Sequence, residues 1–208
     1  MIDVDIEISK SDIKSIRQRL GQFEGKAPDV LSRAINRTVS SVKTEIKREA
    51  SRKYTITQQA IGKTLKDRKA SPKDLKGYVK STGSVIPLIK FRVSPQRTVM
   101  YDDDGKPNPS HYSAAVFKGQ GLKPLDRNPK AFAAIMPNKK GDDHGGVFER
   151  TGRKSRKNPK REAIAERFGP SVPHMINNKY VIDRIKNRAD DTMMKRIDAE
   201  INYILSRG

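Results

Sequence analysis

The chain has 208 residues, 34% of them hydrophobic, and 44 Lys and Arg stand against 24 Asp and Glu for a formal charge of +20. It has no Cys, which excludes disulfide scaffolds, cysteine nucleophiles, iron–sulfur clusters and Cys-based zinc fingers, and it lacks the run of about eighteen apolar residues that would span a membrane. The first ten residues, MIDVDIEISK, carry acid where a signal peptide carries base, so cytoplasmic synthesis is expected. The sparse apolar content points to a chain completed in part by a partner. The charge makes that partner anionic: nucleic acid, an anionic surface or an acidic subunit.

In chain order, Ile2, Val4, Ile6 and Ile8 alternate with Asp3, Asp5 and Glu7, the period of two of an edge or first strand. Ile13, Ile16 and Leu20 predict a short helix over 10–22. Pro28 suits the first turn of a second helix, which runs to about Ala50. Leu31, Ile35, Thr38, Val39, Val42, Ile46 and Ala50 form its apolar stripe, and Arg33, Arg37, Lys43, Lys47 and Arg48 lie opposite. Thr55 to Ile61 predicts a short helix inside a basic frame. Strands are expected over 75–80, 85–93 and 98–100, with Pro87 marking an edge or bulge. Further strands are expected over 111–118, 131–136 and from Gly146, with turns at 102–110 and 137–146. Residues 163–168 predict at most a helical turn or two. Gly169-Pro170-Ser171-Val172-Pro173 is a rigid bend, and a last helix of about thirty residues runs from His174 to Leu205.

The expected fold is α+β: a long N-terminal amphipathic helix, a central antiparallel or mixed strand region and a long C-terminal helix. It is expected as a single domain over 1–208. Within it lie a basic helical segment (28–70), a strand-rich middle (75–150), a basic loop (150–161) and the C-terminal helix (174–205).

The charge excess is concentrated. Residues 30–80 hold fourteen bases against four acids, a net +10, and RTGRKSRKNPKR at 150–161 holds seven bases and no acid. Each run reads either as a solvated face or as a contact with DNA backbone or an acidic neighbour. Catalytic groupings are missing: His111, His144 and His174 are isolated in sequence, with no HExxH or GxSxG. Gly62-Lys63-Thr64 lacks the upstream glycine of a phosphate loop, since position 57 is Thr. Asp102-Asp103-Asp104 lacks calcium-loop spacing, and Asp142-Asp143-His144 has the composition of a polar turn. No enzyme, metal or cofactor is expected.

Several blocks follow one another in order: Leu31 to Thr38 (LSRAINRT), Pro87-Leu88-Ile89, Pro129 to Phe132, Gly146 to Arg150 (GVFER) and Phe168 to Pro173 (FGPSVP). In that order the chain resembles the phage minor tail protein Z family, tail completion proteins of lambdoid type. The DDDG turn and the HYSAAVFKGQG stretch have no counterpart in that pattern. The resemblance implies a structural protein of the virion tail, synthesised in the host cytoplasm, acting in tail completion at the head-proximal end, in head–tail joining and in DNA positioning or passage. Implied partners are tail tube, tail terminator and connector proteins, further copies in a hexameric ring, and packaged DNA in transient contact, with no membrane. Arg33, Arg37, Arg52, Lys53, Arg153, Lys154, Arg156 and Lys157 are then the contact candidates. Asn36, Phe148, Gly169, Pro170 and Pro173 are the structural motif residues. The alternative is a non-catalytic DNA-binding protein acting outside a virion through the same basic faces.

Overall fold

A helix with one continuous apolar stripe must bury that stripe against other elements; here Leu31 packs with Ile197 and Ile201 of a second helix of equal length, and Ile35 and Val39 face the strand that begins at Gly77. The computed structural model describes residues 1–208 apart from 102, 105–106, 127–129, 137–143, 157 and 208; of 101 and 107 only the backbone is described. The chain forms two compact units, Met1–Ser51 with Gln58–Gly83 and Val172–Gly208, and Arg52–Thr57 with Ser84–Ser171.

The first unit holds β1 (Ile2–Ile6), α1 (Lys10–Leu20), α2 (Ala27–Lys53, its last two residues counted with the second unit), α3 (Gln58–Gly62), β2 (Leu65–Arg68), β3 (Gly77–Ser81), α4 (Val172–Ile176) and α5 (Lys179–Leu205). Ser9 caps α1 by accepting from the Asp12 amide at 3.1 Å, and Gly21 ends it at φ +55°. Leu31, Ile35, Val39, Val42, Ile46 and Ala50 are buried along the whole of α2.

Helices α2 and α5 run antiparallel. Arg33 pairs with Glu200 at 2.9 Å, the Ser41 and Thr192 hydroxyls are 3.3 Å apart, and Arg184 Nε lies 3.7 Å from Glu49. As one number rises the other falls. The outer pairs span the same sixteen-residue interval on each helix, about 24 Å of helix. At one end α1 joins them, with Ile16 and Leu20 packed among Ala27, Val30, Leu31, Ala34, Ile197 and Ile201.

The sheet of this unit has the order β1-β3-β2, antiparallel throughout. Two residues fasten it to α2. A Cβ on Gly77 would sit 2.7 Å from Ile35 Cγ2 and 2.8 Å from Val39 Cγ2, so only glycine lets β3 begin this close to the helix. The Asn36 side chain donates to the Ala70 carbonyl at 3.0 Å and accepts from the Ala70 amide at 2.7 Å. One side-chain amide thus satisfies both backbone groups of a residue just past β2.

The second unit holds β4 (Ile86–Pro87), a 3-10 turn (Leu88–Lys90), β5 (Arg92–Ser94), β6 (Met100–Tyr101), β7 (Pro107–Asn108), β8 (Ser113–Ala115), β9 (Lys123–Pro124), β10 (Ala131–Met136), β11 (His144–Lys154), β12 (Glu162–Glu166) and β13 (Phe168–Gly169). These pair as β5-β8-β9, β6-β7, β4-β13 and β10-β11-β12, and none of the described sheets closes on itself. The segment after α2 is tied in by Thr55 N donating to Val116 O at 2.9 Å and by Lys118 N donating to Lys53 O at 2.8 Å. The buried Tyr112 hydroxyl donates to Arg97 O at 2.9 Å.

The expected layout is overturned. Strands are not gathered into one central region: β1 to β3 form a sheet inside the helical unit, and β4 to β13 are shared among four small ones. No single C-terminal helix dominates. The stretch from His174 is broken at Asn177–Asn178 into α4 and α5, and α5 only equals α2 in length. The physical causes are local. Pro87 lacks the amide a central strand needs, so 85–93 splits into β4, a 3-10 turn and β5. Asn178 accepts from the Tyr180 amide at 3.2 Å and restarts the helix as its cap. Residues 163–168 hold strand rather than helical turn: Ala163 to Glu166 lie in β12, paired with β11 through Glu149↔Ala165 and Arg150↔Ile164, and Phe168 lies in β13, paired with Pro87 of β4.

Two outcomes are expected. Asn36→Ala should lower stability by about 1–3 kcal/mol, the cost of leaving buried backbone groups unpaired, and Gly77→Val by about 1–3 kcal/mol or more through overpacking, both read by urea denaturation. Burial pushes the Tyr112 phenol above its ordinary value of 10.0, against smaller opposing effects from the Ala133 backbone and Arg97. The neutral phenol is therefore the form the fold prefers. Its contribution is present in full below the unfolded value and is lost as pH rises through the folded one. Denaturation midpoints should fall more steeply above about pH 10 for the parent than for Tyr112→Phe.

Candidate functional site

The sheet β10-β11-β12 carries the most concentrated charge in the chain. Its base is apolar and cross-braced. Phe132 pairs with Phe148 in register, ring centroids 6.2 Å apart, and Arg167 Nε donates to Glu149 at 2.6 Å. His144 Nε2 lies 2.8 Å from Glu166 Oε1, with the imidazole edge-on to Phe148.

Beyond Arg150 the sheet narrows to two strands. The register shifts between Arg150↔Ile164 and Lys154↔Glu162, so Thr151, Gly152 and Arg153 face Ala163 alone. Such a bulge needs a residue tolerant of positive φ, and Gly152 supplies it at φ +70°. Side chains then close the gap: Thr151 Oγ1 donates to Ala163 O at 3.0 Å, and Glu162 Oε1 accepts from Gly152 N at 2.6 Å. Pairing continues past the strands. Ser155 N donates to Arg161 O at 2.9 Å, Arg161 N donates to Asn158 O at 2.9 Å, and Asn158 Oδ1 accepts from Lys160 N at 3.0 Å. The expected basic loop is therefore a hydrogen-bonded two-stranded ribbon with a turn at its tip.

Arg150, Arg153, Lys154, Arg156, Lys160 and Arg161 are all exposed on this ribbon. Arg150 lies 3.8 Å from Glu162 and 6.0 Å from the Phe132 ring centroid. Among the described residues, the side chains of Arg153, Lys154, Arg156, Lys160 and Arg161 have no carboxylate partner. A concavity beside the bulge is lined by Glu149, Arg150, Thr151, Arg153, Lys154 and Arg156, among others. Lys157 lies outside the described residues.

The other contact candidates are placed differently. Arg33 is engaged by Glu200. Arg37 is exposed on α2, with no ion pair among the described residues. Arg52 and Lys53 end α2, where cations complement the helix dipole. Neighbouring bases of the 30–80 region are also engaged: Lys43 by Asp67 at 2.6 Å, Arg48 by Glu45 at 2.7 Å, Arg68 by Asp74, and Lys76 by Glu7 at 3.5 Å.

The motif residues hold the fold. Asn36 clamps Ala70, Phe148 is buried in β11, and Pro173 is buried in the first turn of α4. A Cβ on Gly169 would meet the Phe91 ring at 2.5 Å, so β13 passes flush against that ring. Pro170 is half-buried at the following step.

For catalysis, His111 Nδ1 lies 3.0 Å from Asp126 on the surface. Among the described residues no three His, Asp or Glu side chains gather where an ion could be held. Asp103 and Asp104 sit in a turn; Asp102, Asp142 and Asp143 lie outside the described residues. No helix among the described residues is long and apolar enough to cross a membrane.

The roles of Arg150, Lys160, Arg161 and Glu162 escape a linear reading. The available signal was Gly152 between two charged runs, the mark of a bulge. Comparison of the chain with protein-family models, with curated proteins and with solved structures finds no match in any of the three.

Glu162 is the brace of the ribbon. Glu162→Ala should speed amide hydrogen exchange at Gly152, Arg153 and Ser155 by at least about tenfold, the loss of roughly 1.4 kcal/mol of local protection. The melting temperature should stay unchanged. Unaltered exchange at those amides would show that the bulge is held by the backbone alone.

Proposed function

We propose that the chain is a non-catalytic structural protein of a long-tailed phage or prophage, acting in tail completion at the head-proximal end. Its partners are tail tube, terminator and connector subunits, and further copies of itself in a closed ring. The ordered blocks LSRAINRT, GVFER and FGPSVP support the reading. The observation that carries it is how their residues are engaged. Asn36, Phe148, Gly169 and Pro173 are committed to joints and core, as a framework requires, while a braced basic ribbon stands exposed. A scaffold with one concentrated charged projection suits a subunit that docks on anionic neighbours. Closed symmetry would also cover exposed apolar side chains of α5 such as Met194 and Leu205.

A second reading rests on the same ribbon: a DNA-binding protein outside any virion, using the charge without a tail to join.

Deletion of the coding sequence from its phage or prophage, with complementation in trans, separates the two. The tail reading expects filled heads and unjoined or aberrant tails by electron microscopy, a collapse of plaque titre, and rescue by the parent chain. Normal joined particles in the deletion would overturn it. Native mass spectrometry of the chain recovered from tails should give a closed ring, with six copies expected.

A further inference from the structure

We propose that the ribbon of β11 and β12, with residues 155, 156 and 158–161 at its tip, is a binding site for the phosphate backbone of duplex DNA, read without sequence preference. The proposal deepens the preceding reading by naming the anionic partner of the same ribbon.

The first ground is the kind of side chain exposed. Arg153, Lys154, Arg156, Lys160 and Arg161 are all exposed and lack a carboxylate partner among the described residues. Ser155 and Asn158 stand between them, hydroxyl and amide groups of the kind that join Lys and Arg on phosphate oxygens.

The second ground is the absence of an anchor. Protein interfaces are centred on buried aromatic or large aliphatic side chains surrounded by a polar rim. The aromatic rings of this sheet, Phe132 and Phe148, lie at or before the point where the ribbon starts, and Phe148 is buried. Of the large apolar side chains on β11 and β12, Ile164 alone is exposed. A surface of cations without an apolar centre suits a polyanion better than an acidic protein.

The third ground is shape. A two-stranded ribbon is of a size that the major groove of B-form DNA admits. Recognition of single strands relies on stacking aromatics, which the described ribbon beyond Arg150 does not offer. The bulge at Gly152 and the brace from Glu162 fix the ribbon's twist before binding, so fewer residues must be ordered on contact.

The test uses the full chain and fluorescence anisotropy with a random-sequence duplex, its single strand and polyglutamate, each across a sodium chloride series. Five ribbon cations on phosphates predict a slope of log K against log salt of about −4.5, a loss of about 500-fold between 50 and 200 mM. Arg153→Ala/Arg156→Ala/Lys160→Ala should make the slope shallower by about 2.7 and weaken duplex binding by at least about tenfold at 100 mM salt, with an unchanged melting temperature. A control removing three exposed cations elsewhere, Lys14→Ala/Arg17→Ala/Lys26→Ala, should leave the slope in place.

Equal losses in the two triple variants would overturn the proposal in favour of diffuse attraction by the net charge. Tighter binding of polyglutamate than of duplex would overturn it in favour of an acidic protein, and absent duplex binding would overturn it outright. Failure here with normal rescue of tails by the ribbon variant would leave the tail reading intact. Duplex binding that depends on the ribbon, with normal particles in the deletion, would overturn the tail reading and keep this one.

Discussion

The antiparallel seam between α2 and α5 is the constraint from which the rest of the first unit follows. It joins residues 33–49 to residues 184–200, so the first and last thirds of the chain must both be present before either helix can bury its stripe. The seam is apolar at the end where Ile197 and Ile201 pack with Val30, Leu31 and Ala34; toward the other end Glu49 lies fully buried, 3.5 Å from Arg48 and 3.7 Å from Arg184. Removing a carboxylate from water costs several kcal/mol before its partners offset that loss, so Glu49 adds little net stability. Its value is directional. Arg48 lies on the same helix and stays beside Glu49, whereas the Arg184 guanidinium reaches it from α5 at one register only, which penalises slippage of one helix along the other.

With the seam set, α2 becomes the platform for the small sheet. Gly77 and Asn36 belong to different elements but answer the same demand: a strand and the end of its neighbour have to approach a helix whose facing positions are already filled. Glycine at 77 removes the side chain that would collide, and Asn36 supplies the hydrogen bonds that the chain at Ala70 cannot find in the sheet. The second unit solves a different problem. It has no long helix, and outside β10-β11-β12 its strands are short, so much of its order comes from individual fastenings: Thr55 on the backbone at 115 and 116, Tyr112 on Arg97, Gly169 against Phe91.

That contrast explains what could be read from the sequence. The stripe of α2 was legible because six positions recur at helical spacing and all are buried. The strand at 131–136 was legible because AFAAIM carries no breaker. The arrangement was not. Nothing in the alternation of Ile2, Val4 and Ile6 says that its partner lies at 77–81, and pairing across such a distance is fixed by tertiary packing. Residues 163–168 misled for a related reason: Ala163, Ala165 and Glu166 are good helix formers, and only the pairing of β12 with β11 overrides that preference. The candidate contacts divided in the same way. Sequence placed Arg33 and Arg153 on equal terms, and the difference between them depends on Glu200, 167 positions from one of them in the chain.

The net charge of +20 consequently has two parts with different physical meaning. In the 30–80 region, Arg33, Lys43, Arg48, Arg68, Lys76 and Lys80 each lie within reach of a carboxylate. Exposed pairs of this kind add little stability and lower the field only where they lie; Arg37, Lys63, Lys66, Lys69 and Lys73 are exposed in the same region with no ion pair among the described residues. On the ribbon, Glu162 is oriented toward the Gly152 amide and Arg150, and the cations beyond it face solvent unopposed among the described residues. At physiological ionic strength a charge acts over roughly 8 Å, so a partner responds to local density rather than to the total. Bracing a cationic ribbon with backbone hydrogen bonds concentrates unpaired charge on one narrow element, and the geometry of that element then decides which anion it can hold.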